Sequence, residues 1–362
     1  MSVREPPARL PASAARLESV LADISSRAAE LDREPRFPSE SFADLAAAGA
    51  LGQPPDGLAG EVRLVRAVAA ADASTARILD GHLNGTERLA LLGAEPLRSR
   101  ELAGARDGSL LLGVWGADPA PAEGAPARLK HHDGRAVLHG VKTFCSGAGG
   151  VQRALVVVAD DVGARRLVYL DTTDDRVSVD RDWYRASGLR ASESHRVEFD
   201  QAPVLAVLGE PGELSREPWF SRDAIRTSAT WAGLADRILA ETAAALDPGR
   251  IDAVQAHALG RMRVAQSTID RWLEHTIGCL GGPEDAGAPH DPATLALECR
   301  VALYECAAAI SDLAARIGGS RALIGASALD RARRDLDLFL RQHRLDGRVA
   351  ELGGETLEAL RA

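Results

Sequence analysis

The chain has 362 residues, 46% of them hydrophobic and 26% charged, and 43 basic against 52 acidic residues leave a formal net charge of −9. That length gives room for two or three domains around a buried core. The acidic balance argues against nucleic acid or an anionic membrane as partner, and no apolar run approaches the ~18 residues that span a bilayer. The N-terminal Met-Ser-Val-Arg-Glu-Pro-Pro lacks the continuous apolar stretch of a signal peptide, so a cytoplasmic location is expected. Cys145, Cys279, Cys299 and Cys306 form no CxxC pair. Neither a metal site nor a disulfide framework is therefore expected.

From residue 14 to 105 the pattern is helical. Leu17, Val20, Leu21, Ile24, Ala28 and Leu31 recur at three- and four-residue steps and make one apolar stripe. Pro35 and Pro38 end that helix, and Ser39 is placed to cap a second one carrying Phe42, Leu45 and Ala46. Helical patterns return over Val62–Leu79 and Leu83–Leu92. The texture changes near Ser109. Short apolar runs follow as far as Leu208, among them Leu155-Val156-Val157-Val158 and Leu167-Val168-Tyr169-Leu170, with turn chemistry between them. They predict a small antiparallel sheet or barrel. After Gly209-Glu210-Pro211-Gly212 the helix period resumes over Ala224–Leu246, Ala253–Ile277, Pro292–Ile317 and Ser327–Gln342, which predicts a four-helix bundle. The expected fold is α+β: a helical domain over 1–108, a β domain over 109–212 and a bundle over 213–362.

Helix, sheet, helix is an uncommon order, and local stretches narrow it further. They are Leu138-His139-Gly140-Val141-Lys142-Thr143-Phe144-Cys145-Ser146-Gly147-Ala148, then Leu189 to Phe199 with its Arg190-Ala191-Ser192, then Arg226-Thr227 through Gly233-Leu234-Ala235, and last Gly318-Gly319 followed by Arg334-Asp335. In this order they resemble the acyl-CoA dehydrogenase superfamily over nearly the whole chain. The resemblance implies a flavin between sheet and bundle, FAD in the usual member, and a homodimer or homotetramer. It places Trp115, Phe144, Cys145, Ser146, Gly318 and Gly319 at the cofactor, with the Ser146 hydroxyl at the flavin N5 edge and Phe144 against the ring. From the residues alone, Ser146 and Phe144 equally make a hairpin turn and a core contact.

The departures from the pattern carry as much information. Gly116-Ala117-Asp118-Pro119-Ala120-Pro121-Ala122-Glu123 stands where the superfamily has phosphate-holding hydroxyls, and Glu123 repels a phosphate. FMN, or a reduced flavin bound only transiently, thus competes with FAD. Counting from Arg334-Asp335 puts His343 at the place of the catalytic glutamate, and the superfamily's second location for a base falls on Ile225. His343 is the catalytic candidate, since imidazole exchanges protons near neutral pH; a cation at a polar helix end is the other reading. Asp223 and Arg226, three residues apart on one helix face, either line the substrate pocket or form a structural ion pair.

Three functions follow. The first expectation is a flavin-dependent dehydrogenase oxidising an acyl thioester, CoA- or carrier-linked, or a related small acid derivative, with an electron-transfer protein as partner. The alternative is a monooxygenase of the same superfamily, using reduced flavin from a flavin reductase and oxygen on a small aromatic, sulfur or amine substrate. The third is a flavin-free, catalytically silent paralogue.

Overall fold

A computed structural model describes residues 14–54, 56–282, 291–320, 327–342 and 345–361. Five helices open the chain: α1 (Ala14–Arg33), α2 (Ser39–Ala47), α3 (Leu58–Ala71), α4 (Ala73–Leu92) and α5 (Leu97–Asp107). The α1 stripe is buried as its spacing predicts, through Val20, Ile24, Ala28 and Leu31. The break between α3 and α4 falls at Asp72, not near Gly81 as the apolar pattern suggested. Asp72 is extended, and its carboxylate accepts the Thr75 N–H at 2.8 Å, a side-chain cap that starts a new helix. Glycine inside α4 marks close approach rather than a break: a Cβ on Gly85 would lie 3.0 Å from Leu112 of the sheet.

The β domain holds β1 (Leu112–Trp115), β2 (Arg128–His132), β3 (Arg135–Cys145), β4 (Arg153–Ala159), β5 (Arg165–Asp171), β6 (Val177–Asp180) and β7 (His195–Leu208). The order is β1-β4-β2-β3-β7-β5, with β5 also paired to β4 and β6 to β7, so five strands close a ring. The sheet is mixed rather than antiparallel. β1 runs parallel to β4, and β2 touches β4 in parallel through Arg128 and Ala159. The β2–β3 hairpin lies between β1 and β4 in the chain and brings β4 back in the direction of β1, as any parallel pair requires.

The bundle comprises α6 (Trp219–Ala244), α7 (Ala253–Leu280), α8 (Pro292–Gly318) and α9 (Ala328–Gln342). A further helix, α10 (Asp346–Arg361), was not expected from the apolar pattern, and none of its residues is buried. α6 and α3 meet so closely that a Cβ on Gly233 would lie 2.2 Å from the Arg66 carbonyl oxygen. One apolar core therefore runs from α1 through the sheet to α9, including Ile24, Trp115, Phe199, Trp231 and Phe339. Among the described residues no helix is long and apolar enough to cross a membrane.

Candidate active site

β3 carries the candidate residues to one end of the sheet. Its register against β7 shifts between Lys142 and Cys145, and Phe144 there takes a left-handed φ of 51°. That kink turns the Phe144 ring out of the sheet, where it is 51% exposed and meets Trp183 edge-on at 5.0 Å. Cys145, the next residue, points the other way and is fully buried. Burial pushes its thiol up, as in a core group.

Ser146 follows in the turn, nearly buried. Its Oγ lies 2.9 Å from Ser194 Oγ, which lies 2.7 Å from Ser192 Oγ, so three hydroxyls form a chain. The Trp115 indole N–H donates to the Ser146 carbonyl at 3.0 Å from inside the core. Trp115 therefore braces Ser146 from below. The turn is tied to the segment before β7 by the Gly147 N–H donating to the Ser192 carbonyl at 2.8 Å and the Ala148 N–H to that of Glu193 at 3.2 Å. Ser192 and Ser194 were not singled out from sequence, although their alternation in Ser192-Glu193-Ser194 was the available signal.

The stretch 116–123 borders the same end of the sheet. The Lys142 ammonium, buried and lowered by desolvation against the pull of Asp118, holds it through Asp118 at 2.6 Å and the Gly116 carbonyl at 3.2 Å. Glu123 accepts the Trp183 indole N–H at 3.0 Å and the Ala120 N–H at 2.8 Å. Its carboxylate thus orients the ring that packs on Phe144.

The other expected residues lie apart. Gly318 ends α8, and Gly319 caps it at φ 61°; among the described residues no hydrogen bond or ring contact joins either to the Ser146 turn. His343 lies outside the described residues. Arg226 is fully buried between α3, α4 and α6, bound to Glu61 at 2.7 Å, Glu87 at 3.0 Å, Asp223 at 3.0 Å and Asn84. Burial alone would lower its pKa; the carboxylates of Glu61, Glu87 and Asp223 overcome this and hold it charged. Asp223 also accepts from Arg88 at 2.6 Å, and burial pushes it up to about 6 against Arg88 and Arg226. The pair belongs to a buried ion network. Among the described residues no group of three or more potential ligands is gathered for a metal.

α9 is locked to the β domain beside this site. Asp335 accepts the Leu189 N–H at 2.6 Å, and Arg334 ties α9 to α1 through Asp32 at 2.6 Å. Burial, with Asp72 and Asp32 adding to it, pushes Asp335 up to about 7 against the Leu189 N–H and Arg331. The folded state therefore holds this proton more tightly than the unfolded chain. Its contribution to stability is full below about pH 4 and is lost as the pH rises through about 7. Asp335→Asn, which keeps the acceptor without the charge, is expected to exceed the parent in stability by roughly 2–4 kcal/mol at pH 8 and to match it near pH 4. Urea unfolding at the two pH values checks this; an equal difference at both overturns it.

This arrangement of α1–α5, a seven-stranded sheet and a C-terminal bundle is the acyl-CoA dehydrogenase fold. No family model matches the chain. Dibenzothiophene monooxygenase of Rhodococcus erythropolis is 29% identical over 164 residues, which cover 41% of this chain and 38% of that protein. Methanesulfinate monooxygenase MsuC of Pseudomonas fluorescens superposes with a TM-score of 0.81 at 20% identity, over 97% of this chain and 98% of its own. FMN-bound TdsC of Paenibacillus sp. A11-2 superposes with a TM-score of 0.80 at 17% identity, over 95% of this chain and 97% of its own.

Proposed function

We propose that the protein is a flavin-dependent monooxygenase that takes reduced flavin from a separate reductase and uses dioxygen to oxygenate a small organic substrate. The observation that carries this reading is the Ser146 turn, an outward-facing aromatic pair beside a relayed hydroxyl, in a chain whose sequence relative is a monooxygenase. The residues present fit a flavin. Phe144 and Trp183 offer apolar surface to a ring, Ser146 a hydroxyl to its polar edge, and Ser194 and Ser192 a path that keeps that hydroxyl satisfied. FMN is favoured over FAD, because the stretch resembling the superfamily's phosphate-holding segment carries the Glu123 carboxylate, which is already committed to the Trp183 indole and the Ala120 N–H. Reduced flavin bound there supplies two electrons to dioxygen. Trp115 fixes Ser146, the aromatic pair excludes water, and His343 is proposed to move the proton.

Acyl-thioester dehydrogenation, the first expectation, has less support. Among the proteins the chain resembles, dibenzothiophene monooxygenase and MsuC are monooxygenases, and Ile225, at one location of the dehydrogenase base, is an apolar residue fully buried in α6. Anaerobic titration with reduced FMN, followed by tryptophan fluorescence, tests the choice. Saturable binding is expected, with Ser146→Ala weakening it about threefold to tenfold, one hydrogen bond's worth. No binding, or bleaching of the oxidised flavin by an acyl-CoA without oxygen, overturns the reading.

We also infer a homodimer or homotetramer built on the bundle. α10 buries no residue within the protomer, and an isolated helix of its 16 residues is marginal in water. Val254 and Val264, 72% and 67% exposed, share one face of α7 with His257, Arg261 and Thr268, beside a groove of about 620 Å³ against α8. Light scattering is expected to give a multiple of 38.2 kDa at micromolar concentration; the monomer mass would remove the inference.

A further inference from the structure

On the β domain beside α1 lies a cavity of about 520 Å³ whose wall includes Arg36, Arg181, Arg185 and Arg190. Only two carboxylates, Asp182 and Glu193, share that wall. A concentration of positive charge in a chain of net charge −9 is a local feature, and low-dielectric walls focus its field. Two of the arginines are held by the wall's own acids: Arg181 by Glu193 at 2.8 Å and Arg185 by Asp182 at 3.3 Å. Arg36 pairs outside it with Glu30 at 2.7 Å. Arg190, half-buried, has no hydrogen bond or ion pair on its guanidinium among the described residues.

His195 supplies the second observation. It lines the cavity and is 4% exposed, yet neither ring nitrogen has a hydrogen-bond partner among the described residues. Its Nε2 stands 3.2 Å from the Glu193 carboxylate without the alignment of a hydrogen bond. A buried imidazole with unused nitrogens is costly unless something else satisfies it. The surroundings are built to hold this geometry. Glu193 sits at a left-handed φ of 46°, and Gly149 leaves it room, since a Cβ there would overlap the Glu193 carboxylate. Tyr184 meets the His195 ring edge-on at 6.3 Å on one side and faces the Ser192 and Ser194 hydroxyls on the other. The cavity therefore shares a wall with the hydroxyl chain of the candidate active site.

We propose that this cavity binds the anionic head of a small molecule, a phosphate, sulfonate or carboxylate, with the Arg190 guanidinium as its principal cation and a His195 ring N–H as the buried donor. A guanidinium offers a planar fork that matches such oxygens two at a time, and a charge-assisted bond of this kind is about twice as strong as a neutral one. Arg36 and Arg185 at the rim add attraction without the same directionality. The head group has two sources: the phosphate of the flavin mononucleotide proposed above, or an independent anionic ligand. Only the first rests on the flavin reading.

Calorimetric titration of the full chain with inorganic phosphate, and separately with methanesulfonate and acetate, all at constant ionic strength, tests the site without any flavin. Saturable binding of at least one anion is expected, weakened tenfold or more by Arg190→Gln, with the far-UV spectrum and melting temperature of the unliganded variant unchanged. His195→Gln keeps one donor and is expected to weaken binding less than His195→Leu. No saturable binding of any of the three anions, or equal affinity in Arg190→Gln, overturns the proposal. A parallel titration with FMN and riboflavin separates the sources. If the flavin's phosphate fills the cavity, Arg190→Gln weakens FMN and spares riboflavin; if the ligand is independent, both flavins bind as before while the free anion is lost.

Discussion

Arg226→Met is expected to cost about 3–5 kcal/mol of stability. The reason is what it leaves behind. Glu61 and Glu87 are almost wholly buried and both rest on this guanidinium, Glu61 through two of its nitrogens at 2.9 and 2.7 Å. Glu87 keeps Arg222 at 2.9 Å, and Asp223 keeps Arg88 at 2.6 Å, but no other ion pair serves Glu61 among the described residues. Methionine fills the volume, so the penalty is that of a stranded buried charge rather than of a cavity. The companion variant Glu61→Gln/Arg226→Met should recover much of the loss, because the stranded charge is gone. Urea unfolding of both variants checks this. A single-variant loss below about 1 kcal/mol would show that water reaches the network and would reopen the substrate-pocket reading of Arg226.

The same network shows how far the sequence could be read. A three-residue spacing placed Asp223 and Arg226 on one helix face and left two readings open. What decides between them is the arrival of Glu61 from α3 and Glu87 from α4, residues 165 and 139 positions away in the chain. No periodicity carries that information. The helix order was legible because amphipathic stripes such as Val20–Leu31 report burial locally, and the β domain because its strands are short and separated by turn residues. The parallel pairing of β1 with β4 was not, since strand direction depends on the path of the intervening hairpin. α10 carries Val349, Leu357 and Leu360, but Gly353-Gly354 interrupts its pattern and these side chains stay exposed in the protomer.

At the site, the hairpin residues Phe144 and Ser146 were legible through resemblance, while their neighbours sorted differently. Phe144 and Cys145 face opposite ways because the register shift and the left-handed φ at Phe144 turn its ring out, while the thiol keeps to the core. Trp115 lies under the site for the same kind of reason: a large apolar ring at a strand end finds the core first and uses its N–H on the nearest free carbonyl. Ser192 and Ser194 matter only because the turn 147–148 is hydrogen-bonded to their segment, a contact across more than 40 residues.

His343→Ala is expected to lower turnover by roughly 10²–10⁴-fold, the usual range for lost general acid–base help, with flavin affinity unchanged. His343 itself lies outside the described residues, but the helix that leads to it is firmly anchored. α9 is fixed to the β domain by Asp335 on the Leu189 N–H and by Arg334 on the Ser187 carbonyl, and to α1 by Arg334 on Asp32. Leu189 opens the segment that delivers Ser192 and Ser194 to the hydroxyl chain, so the anchor ties α9 to the proposed flavin edge. His343 follows directly on Gln342, the last residue of α9. Oxygenation needs a proton delivered near neutral pH, and imidazole is the side chain suited to that task. His343→Gln retains a hydrogen-bond donor without proton exchange and should share the loss, which separates proton transfer from positioning. His343→Glu separates the two flavin chemistries: a dehydrogenase should tolerate it, whereas a monooxygenase should consume oxygen without forming product. Oxygen uptake and product yield, measured together with a reductase supplying reduced FMN, read all three variants. Full coupled turnover in His343→Ala would make the residue a helix-end cation and leave the proton to the Ser146–Ser194–Ser192 chain.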